Sequence, residues 1–308
     1  MKWGVTMGAY WVTVLDVTIP ILLTVLAGAA IGRWRRVDTR SVADVAMYVL
    51  APGLVLHALV GGGTGGEALA VAEFTLVDLA ALWVISAATG RLLRFTQAQR
   101  AALALTTLFS NAVNYGLPVC LLAFGQTGYR QAALYVVGQS FLLFSLGVYL
   151  ASAGTRGPAA ALAEVRRTPV IYAALAAAGM AALGWHWPGG LDSALGLLAD
   201  AYPALALMVL GLQLSKTDWR QGLTGLPLWT GVALRLFAAP FVAKAVLWAL
   251  DIHGTLASVL FVEAAMPAAV NAAVFVEQFG GERSQVAMTV AVTTAISFFT
   301  LPWLVNAS

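Results

Sequence analysis

The segment NAVNYGLP at residues 111 to 118 interrupts a long apolar run. Pro118 has no N–H to donate and its ring crowds the carbonyl group of Asn114, while Gly116 weakens the same turn. Inside hydrocarbon, such a break is tolerated only where other protein groups or trapped water satisfy the freed backbone. The segment therefore predicts a broken membrane helix whose second half begins at Leu117 or Pro118.

The composition places this break in a membrane. Hydrophobic residues make up 60% of the 308 residues and charged residues only 10%, whereas a water-soluble domain has about 25% charged residues. The single cysteine excludes an intramolecular disulfide or a cysteine metal cluster. The net charge of +3 reflects where the loops lie and does not indicate a nucleic-acid partner.

Ten apolar segments can be placed as membrane spans, since each crossing needs about 20 residues. They run approximately over 12–32, 42–60, 72–92, 100–124, 129–151, 169–187, 192–214, 226–249, 255–279 and 284–305. The connection at 152–168 contains charged residues and glycines and predicts a cytoplasmic linker. We therefore predict an all-α membrane protein with five spans in residues 1–151 and five in 169–308.

The basic residues predict the orientation of these spans. Thirteen arginines and lysines fall in the odd-numbered loops, against Lys2 and Arg130 on the opposite side. Basic loops stay in the cytoplasm. We therefore expect a multi-pass protein of the cell inner membrane with both termini on the outer, periplasmic side.

The prolines indicate an internal repeat. Three pairs are separated by 149, 151 and 149 residues: Pro20 with Pro169, Pro52 with Pro203, and Pro118 with Pro267. Because each half has five spans, the second half enters the membrane from the opposite face, as in an inverted-topology repeat. The repeat predicts a second broken helix in span 9, at Met266 and Pro267, antiparallel to the first in span 4.

Two broken helices of this kind would form a site for an anion. The N–H groups at the start of each half-helix carry the positive end of the helix dipole toward the gap. Asn111 and Asn114 share a helix face, and Asn271 lies one turn beyond Pro267. The alternative is that these amides only hold the bundle together. The predicted substrate-binding residues are Asn111, Asn114, Gly116, Pro118, Pro267 and Asn271.

Glu263 and Arg235 both fall near the middle of the membrane in this plan. Charges at that depth are costly and are usually paired or functional. One interpretation is a structural ion pair between them, and the other is a proton carried by Glu263. Asp78 and Lys244 are expected to form a second pair near the outer side.

These segments resemble a known family. NAVNYGLPVCLLAFG (111–125) and EAAMPAAVNAAVFVEQFGG (263–281) are similar to the span-4 and span-9 motifs of the auxin efflux carrier family. Further segments that fit are TPVIYAALAAAG at the start of span 6, PALALMVLGLQL in span 7, LRLFAAP in span 8 and SFFTLP in span 10. The resemblance implies two inverted repeats whose broken helices cross at the substrate site. It also implies an elevator, in which spans 3–5 and 8–10 slide against spans 1, 2, 6 and 7.

The function expected from these observations is secondary transport of small organic anions, such as auxin-like compounds or dicarboxylates. No ATP-binding motif is present, so gradients would drive transport. A sodium-coupled symporter of the bile acid type and a membrane ligand sensor that does not transport remain open. No enzyme activity, cofactor, metal or nucleic-acid partner is expected; the expected partners are the substrate and the lipid bilayer, with a homodimer left open.

Overall fold

The computed structural model describes residues 7–35, 37–60, 65–151, 169–183, 185, 187–217, 223–279 and 281–308. Most of the described residues are helical, and none of them lies in a strand. One isolated antiparallel bridge joins Ser110 and Ala268. The all-α class is therefore confirmed, whereas the predicted linker 152–168 and Lys2 lie outside the described residues.

Fifteen helices are described, and we number them in chain order. They are α1 Met7–Thr13, α2 Ile19–Trp34, α3 Thr39–Val45, α4 Ala51–Val60, α5 Gly65–Leu92, α6 Gln97–Leu108, α7 Leu117–Leu142, α8 Val148–Ala151, α9 Pro169–Ala182, α10 Gly189–Ser215, α11 Leu226–Ala233, α12 Ala239–Ala249, α13 Gly254–Ala265, α14 Val270–Phe279 and α15 Arg283–Ala307. Single π-helical turns lie at Val14–Thr18, Ala46–Leu50, Ala112–Gly116, Leu143–Gly147 and Leu234–Ala238.

Seven helical segments in the described residues are long and apolar enough to cross a membrane. One of them, Ala112–Ala151, has 40 residues and would be about 60 Å long, twice the hydrocarbon thickness of about 30 Å. Gly125 interrupts it with φ 64° and ψ −159°. The predicted spans 4 and 9 are divided into shorter helices, so the count of ten spans, the inverted repeat and the orientation stay predictions.

Four of the π-helical turns come directly before a proline. The prolines are Pro20, Pro52, Pro118 and Pro240, each two residues beyond the end of a π-helical turn. A proline ring clashes with the carbonyl group four residues earlier, and in all four cases that carbonyl belongs to the π-helical turn. The wider turn therefore accommodates the proline without ending the helix.

Two glycines bring α2 and α10 into backbone contact. A Cβ atom on Gly28 would overlap Met208 O and lie 2.8 Å from Met208 Cα, and one on Gly211 would overlap Val25 O. The helix α4 packs on both α9 and α10. These four helices, which correspond to the predicted spans 1, 2, 6 and 7, form one closely packed group that we call the scaffold group.

We predict that Gly28→Ala lowers the free energy of unfolding by about 1–3 kcal/mol, because α2 and α10 must separate to admit the methyl group. Denaturant unfolding of the purified protein in detergent measures this change. Gly179→Ala is the matched control, since a Cβ there meets nothing within 4 Å. Equal losses in both variants would contradict the backbone contact.

Candidate substrate site at two paired helix breaks

The breaks after α6 and after α13 pair with each other through the backbone. Asn111 N donates to Pro267 O at 2.7 Å, and Ala269 N donates to Phe109 O at 2.9 Å. These two hydrogen bonds flank the antiparallel bridge. Each break therefore satisfies polar groups that the other one frees, as a non-helical segment at membrane depth requires.

Side chains from two neighbouring helices complete the hydrogen bonding of the breaks. The amide of Gln139, oriented so that both of its polar atoms have partners, accepts from Ser110 N at 2.9 Å and from Ser110 Oγ at 2.6 Å. Ala268 N donates to Thr293 Oγ1 at 3.2 Å. Thus α7 and α15 hold the middle residue of each break.

Arg235 binds the carbonyl ends of both broken helices. Its side chain is only 1% exposed. Nε donates to Met266 O at 2.7 Å, Nη1 to Thr107 O at 2.7 Å, and Nη2 to Ala264 O. The last carbonyls of a helix lack partners within it and carry the negative end of its dipole. One guanidinium therefore caps the C-terminal ends of α6 and α13 together.

The expected ion pair between Arg235 and Glu263 is not formed in this structure. The Arg235 donors are taken by carbonyl groups, and both Glu263 carboxyl oxygens are buried without a hydrogen-bond partner. The carboxyl group lies against Gly116, where a Cβ would be 2.6 Å from its Cδ atom, and beside Cys120. Gly116 is thus a point of close approach between α7 and α13.

The second expected pair, Asp78 with Lys244, is also not formed. Lys244 Nζ donates to Ala307 O at 2.8 Å and lies 4.6 Å from the ring centre of Phe261. Asp78 is buried on α5, where Arg235 is its charged neighbour. Depth along the span suggested the wrong partner, since depth does not define the direction in which a helical residue points.

The three asparagines have different surroundings. Asn111 is buried, and its Nδ2 has no partner among the described residues. Asn114 is half-buried, and its Oδ1 accepts from the Tyr202 hydroxyl at 3.4 Å, which also donates to Val113 O at 3.2 Å. Asn271 is half-buried in the first turn of α14. Asn114 therefore faces α10 of the scaffold group.

A small cavity lies where the second halves of both broken helices begin. Its volume is about 20 Å³, and its lining includes Val113, in the π-helical turn that begins the second half of the first broken helix, and Asn271, the second residue of α14. Leu54 and Val55 of α4 close it from the scaffold side. A cavity of this size holds about one water molecule. The N-terminal ends of both half-helices therefore border one closed space.

The first break lies earlier in the chain than the position of Pro118 suggested. The α-helix α7 does begin at Leu117, with Pro118 buried in its first turn. However, the residues outside the helix are Phe109–Asn111, and the chain is already coiled as a π-helical turn from Ala112. Because the π-helical turn relieves the clash of the Pro118 ring, the helix does not need to break at that proline.

The sequence did not reveal the roles of Gln139, Tyr202 and Thr293. Gln139 could have been suspected as an isolated amide in an apolar span. Tyr202 precedes Pro203 and has no comparable signal, and a threonine such as Thr293 commonly bonds to its own helix, as it also does here with Thr289 O.

Residues 159–305 match the model of a family described as membrane transport protein. Just under half of the chain is therefore similar to membrane transport proteins of this family. The match confirms the resemblance found in the sequence, since the auxin efflux carriers belong to the same family. A protein of Methanothermobacter thermautotrophicus described as an uncharacterized transporter is 26% identical over 302 residues, which cover 94% of this chain and 95% of that protein.

We predict that Arg235→Met lowers the free energy of unfolding by at least about 3 kcal/mol, because it leaves three buried carbonyl groups without a donor. Glu263→Gln should unfold like the wild type, since the structure has no pair to break. The double variant should resemble Arg235→Met alone. Denaturant unfolding in detergent measures all three.

The ion-pair interpretation gives the opposite pattern. Glu263→Gln alone would then lose about 3–5 kcal/mol, and the double variant would recover stability. Arg235→Lys serves as the control for charge, because it keeps the cation but has a single nitrogen to reach three carbonyl groups.

Proposed function

We propose that this protein is a secondary transporter of small organic anions in the cell inner membrane, with the carboxylate bound between the N-terminal ends of the two second half-helices, at Ala112–Gly116 and at the start of α14. The observation that carries this proposal is that both ends border one cavity, together with the Asn271 amide. No charged side chain lines that cavity, and Asn111 and Asn114 do not line it, so the helix ends, the Asn271 amide and the Ser140 hydroxyl are the groups that would attract an anion.

The size of the cavity supports an alternating-access mechanism. A carboxylate needs more space than about 20 Å³. Binding therefore requires α4 to separate from the two paired helix breaks, residues 109–111 and 266–269, which we call the crossing. The crossing is held together by its backbone hydrogen bonds and by Arg235. Movement of the crossing as one body against the scaffold group, as in an elevator, would open the cavity without breaking those bonds.

The position of Arg235 favours a carrier that does not use sodium at the crossing. In transporters with broken helices, unwound carbonyl groups and helix C-terminal ends coordinate the coupling cation. Here a guanidinium already binds the carbonyls of Thr107, Ala264 and Met266. The runner-up function, sodium symport, would need a cation site elsewhere.

Glu263 is the group that we propose for proton coupling. It is buried one turn before the second break, and the weakly donating Cys120 thiol is the polar group beside its carboxyl oxygens. A buried carboxyl group without a donor is far less costly in its neutral, protonated form. Protonation and deprotonation of this group could therefore follow its exposure to the two sides of the membrane.

We predict that Asn271→Ala weakens binding of the preferred organic acid about tenfold or more, because a hydrogen bond to a charged group contributes roughly 1.5–3 kcal/mol. Titration of purified protein with malate, malonate, lactate and indole-3-acetate measures the affinity. Asn114→Ala should also weaken binding, whereas Gln126→Ala, exposed on the same helix as Leu117, is the control.

Folded Asn271→Ala and Asn114→Ala variants that bind every acid like the wild type would place the site elsewhere. Flux of the bound acid into proteoliposomes separates a carrier from a sensor. Binding without flux would favour the sensor.

We predict that flux in proteoliposomes is unchanged when sodium is replaced by choline, and that an inward proton gradient changes its rate. Glu263→Gln should stay folded and lose the response to the proton gradient. Glu73→Gln, exposed on α5, should keep it. A requirement for sodium in the wild type would instead support the symporter.

A further inference from the structure

A groove of about 290 Å³ lies between α5, α6 and α8. Trp83, Ala87 and Arg91 line it from α5 and are spaced four residues apart, so they share one helix face. Arg100 and Ala101 line it from α6. We call this space the arginine groove; it is separate from the cavity at the crossing.

Two positive charges lie in the arginine groove without a partner. Neither Arg91 nor Arg100 has a side-chain hydrogen bond or an ion pair with any residue that the structure describes. The stem of Arg100 crosses the backbone beside Arg91, since a Cβ on Gly90 would lie 2.8 Å from Arg100 Cγ. Two like charges in one cavity repel each other, so an anion that binds both would be favoured.

The rest of the arginine groove is lined mainly by apolar side chains, together with Gln97 and Tyr149. Ala87, Ala101 and Ala104 leave a shallow floor. Trp83 precedes Arg91 by eight residues, which corresponds to about 12 Å along the helix. The arginines fall at the predicted cytoplasmic surface, and the floor extends from them into the membrane. A ligand that fits has an anionic group at one end and a hydrocarbon chain at the other.

We propose that the arginine groove binds an anionic phospholipid of the membrane. Its phosphate would lie on Arg91 and Arg100, and an acyl chain would lie along the alanine floor. Guanidinium groups suit this role because each can bind two phosphate oxygens at once. Basic pockets between membrane helices on the cytoplasmic side bind such head groups. This proposal does not rest on the substrate site.

The first test uses the wild-type protein in a neutral detergent. Native mass spectrometry measures the apparent Kd for phosphatidylglycerol and for phosphatidylcholine with identical acyl chains. We expect phosphatidylglycerol to bind roughly tenfold more tightly or better, as two charge-assisted contacts imply. Equal affinities would overturn the proposal. Displacement by inorganic phosphate at equal concentration would also overturn it, because the site would then be for a soluble anion.

The second test uses variants. The double substitution Arg91→Gln and Arg100→Gln should remove the preference for phosphatidylglycerol. Arg94→Gln is the matched control, since Arg94 is exposed in the same loop and does not line the groove. A preference that survives the double substitution, or is lost equally in the control, would contradict the assignment.

The third test fills the floor and leaves both arginines in place. Ala87→Leu should weaken phosphatidylglycerol binding several-fold, because the added side chain occupies the path of the acyl chain. Unchanged affinity in Ala87→Leu would contradict the placement of that chain. If the double arginine variant does not fold, Ala87→Leu still tests the proposal.

Discussion

Hydrogen bonding of the backbone at the two helix breaks is the constraint on which the rest of the structure depends. In hydrocarbon an unpaired N–H or C=O group costs several kcal/mol, so neither break could exist alone at this depth. Asn111 and Ala269 donate across the crossing, and Arg235 binds three of the remaining carbonyl groups. The two half-chains are therefore joined at the point where each is interrupted.

This arrangement gives the helix C-terminal ends and the helix N-terminal ends at the breaks different electrostatic surroundings. The C-terminal ends of α6 and α13 are neutralised by a buried guanidinium. The N-terminal ends of the second half-helices, at Ala112–Gly116 and at the start of α14, border a cavity without a charged lining residue. The Glu263 carboxyl group lies against Gly116, so the partial positive charge at the first of these ends is uncancelled only when that carboxyl group is protonated. This asymmetry supports the proposed transport of organic anions more directly than any single side chain does.

The sequence predicted the features that depend on local chemistry. Proline and glycine in an apolar run indicated the first break, and the repeat of prolines located the second one at Met266 and Pro267. The partners of Arg235 could not be predicted, because every residue has a carbonyl group and only the fold selects three of them. For the same reason, placing Glu263 and Arg235 at equal depth suggested a pair that the structure does not form.

The packing of the scaffold group and of the crossing differs in kind from the contact between them. Inside the scaffold group, Gly28 and Gly211 put backbone against backbone, and inside the crossing the breaks are hydrogen-bonded through the main chain. Between the two, the described residues share no main-chain hydrogen bond, and side-chain contacts such as Tyr202 with Asn114 at 3.4 Å take their place. Apolar side chains can exchange neighbours at little cost, whereas interlocked backbones cannot. The interface that closes the cavity is therefore the one along which movement costs least.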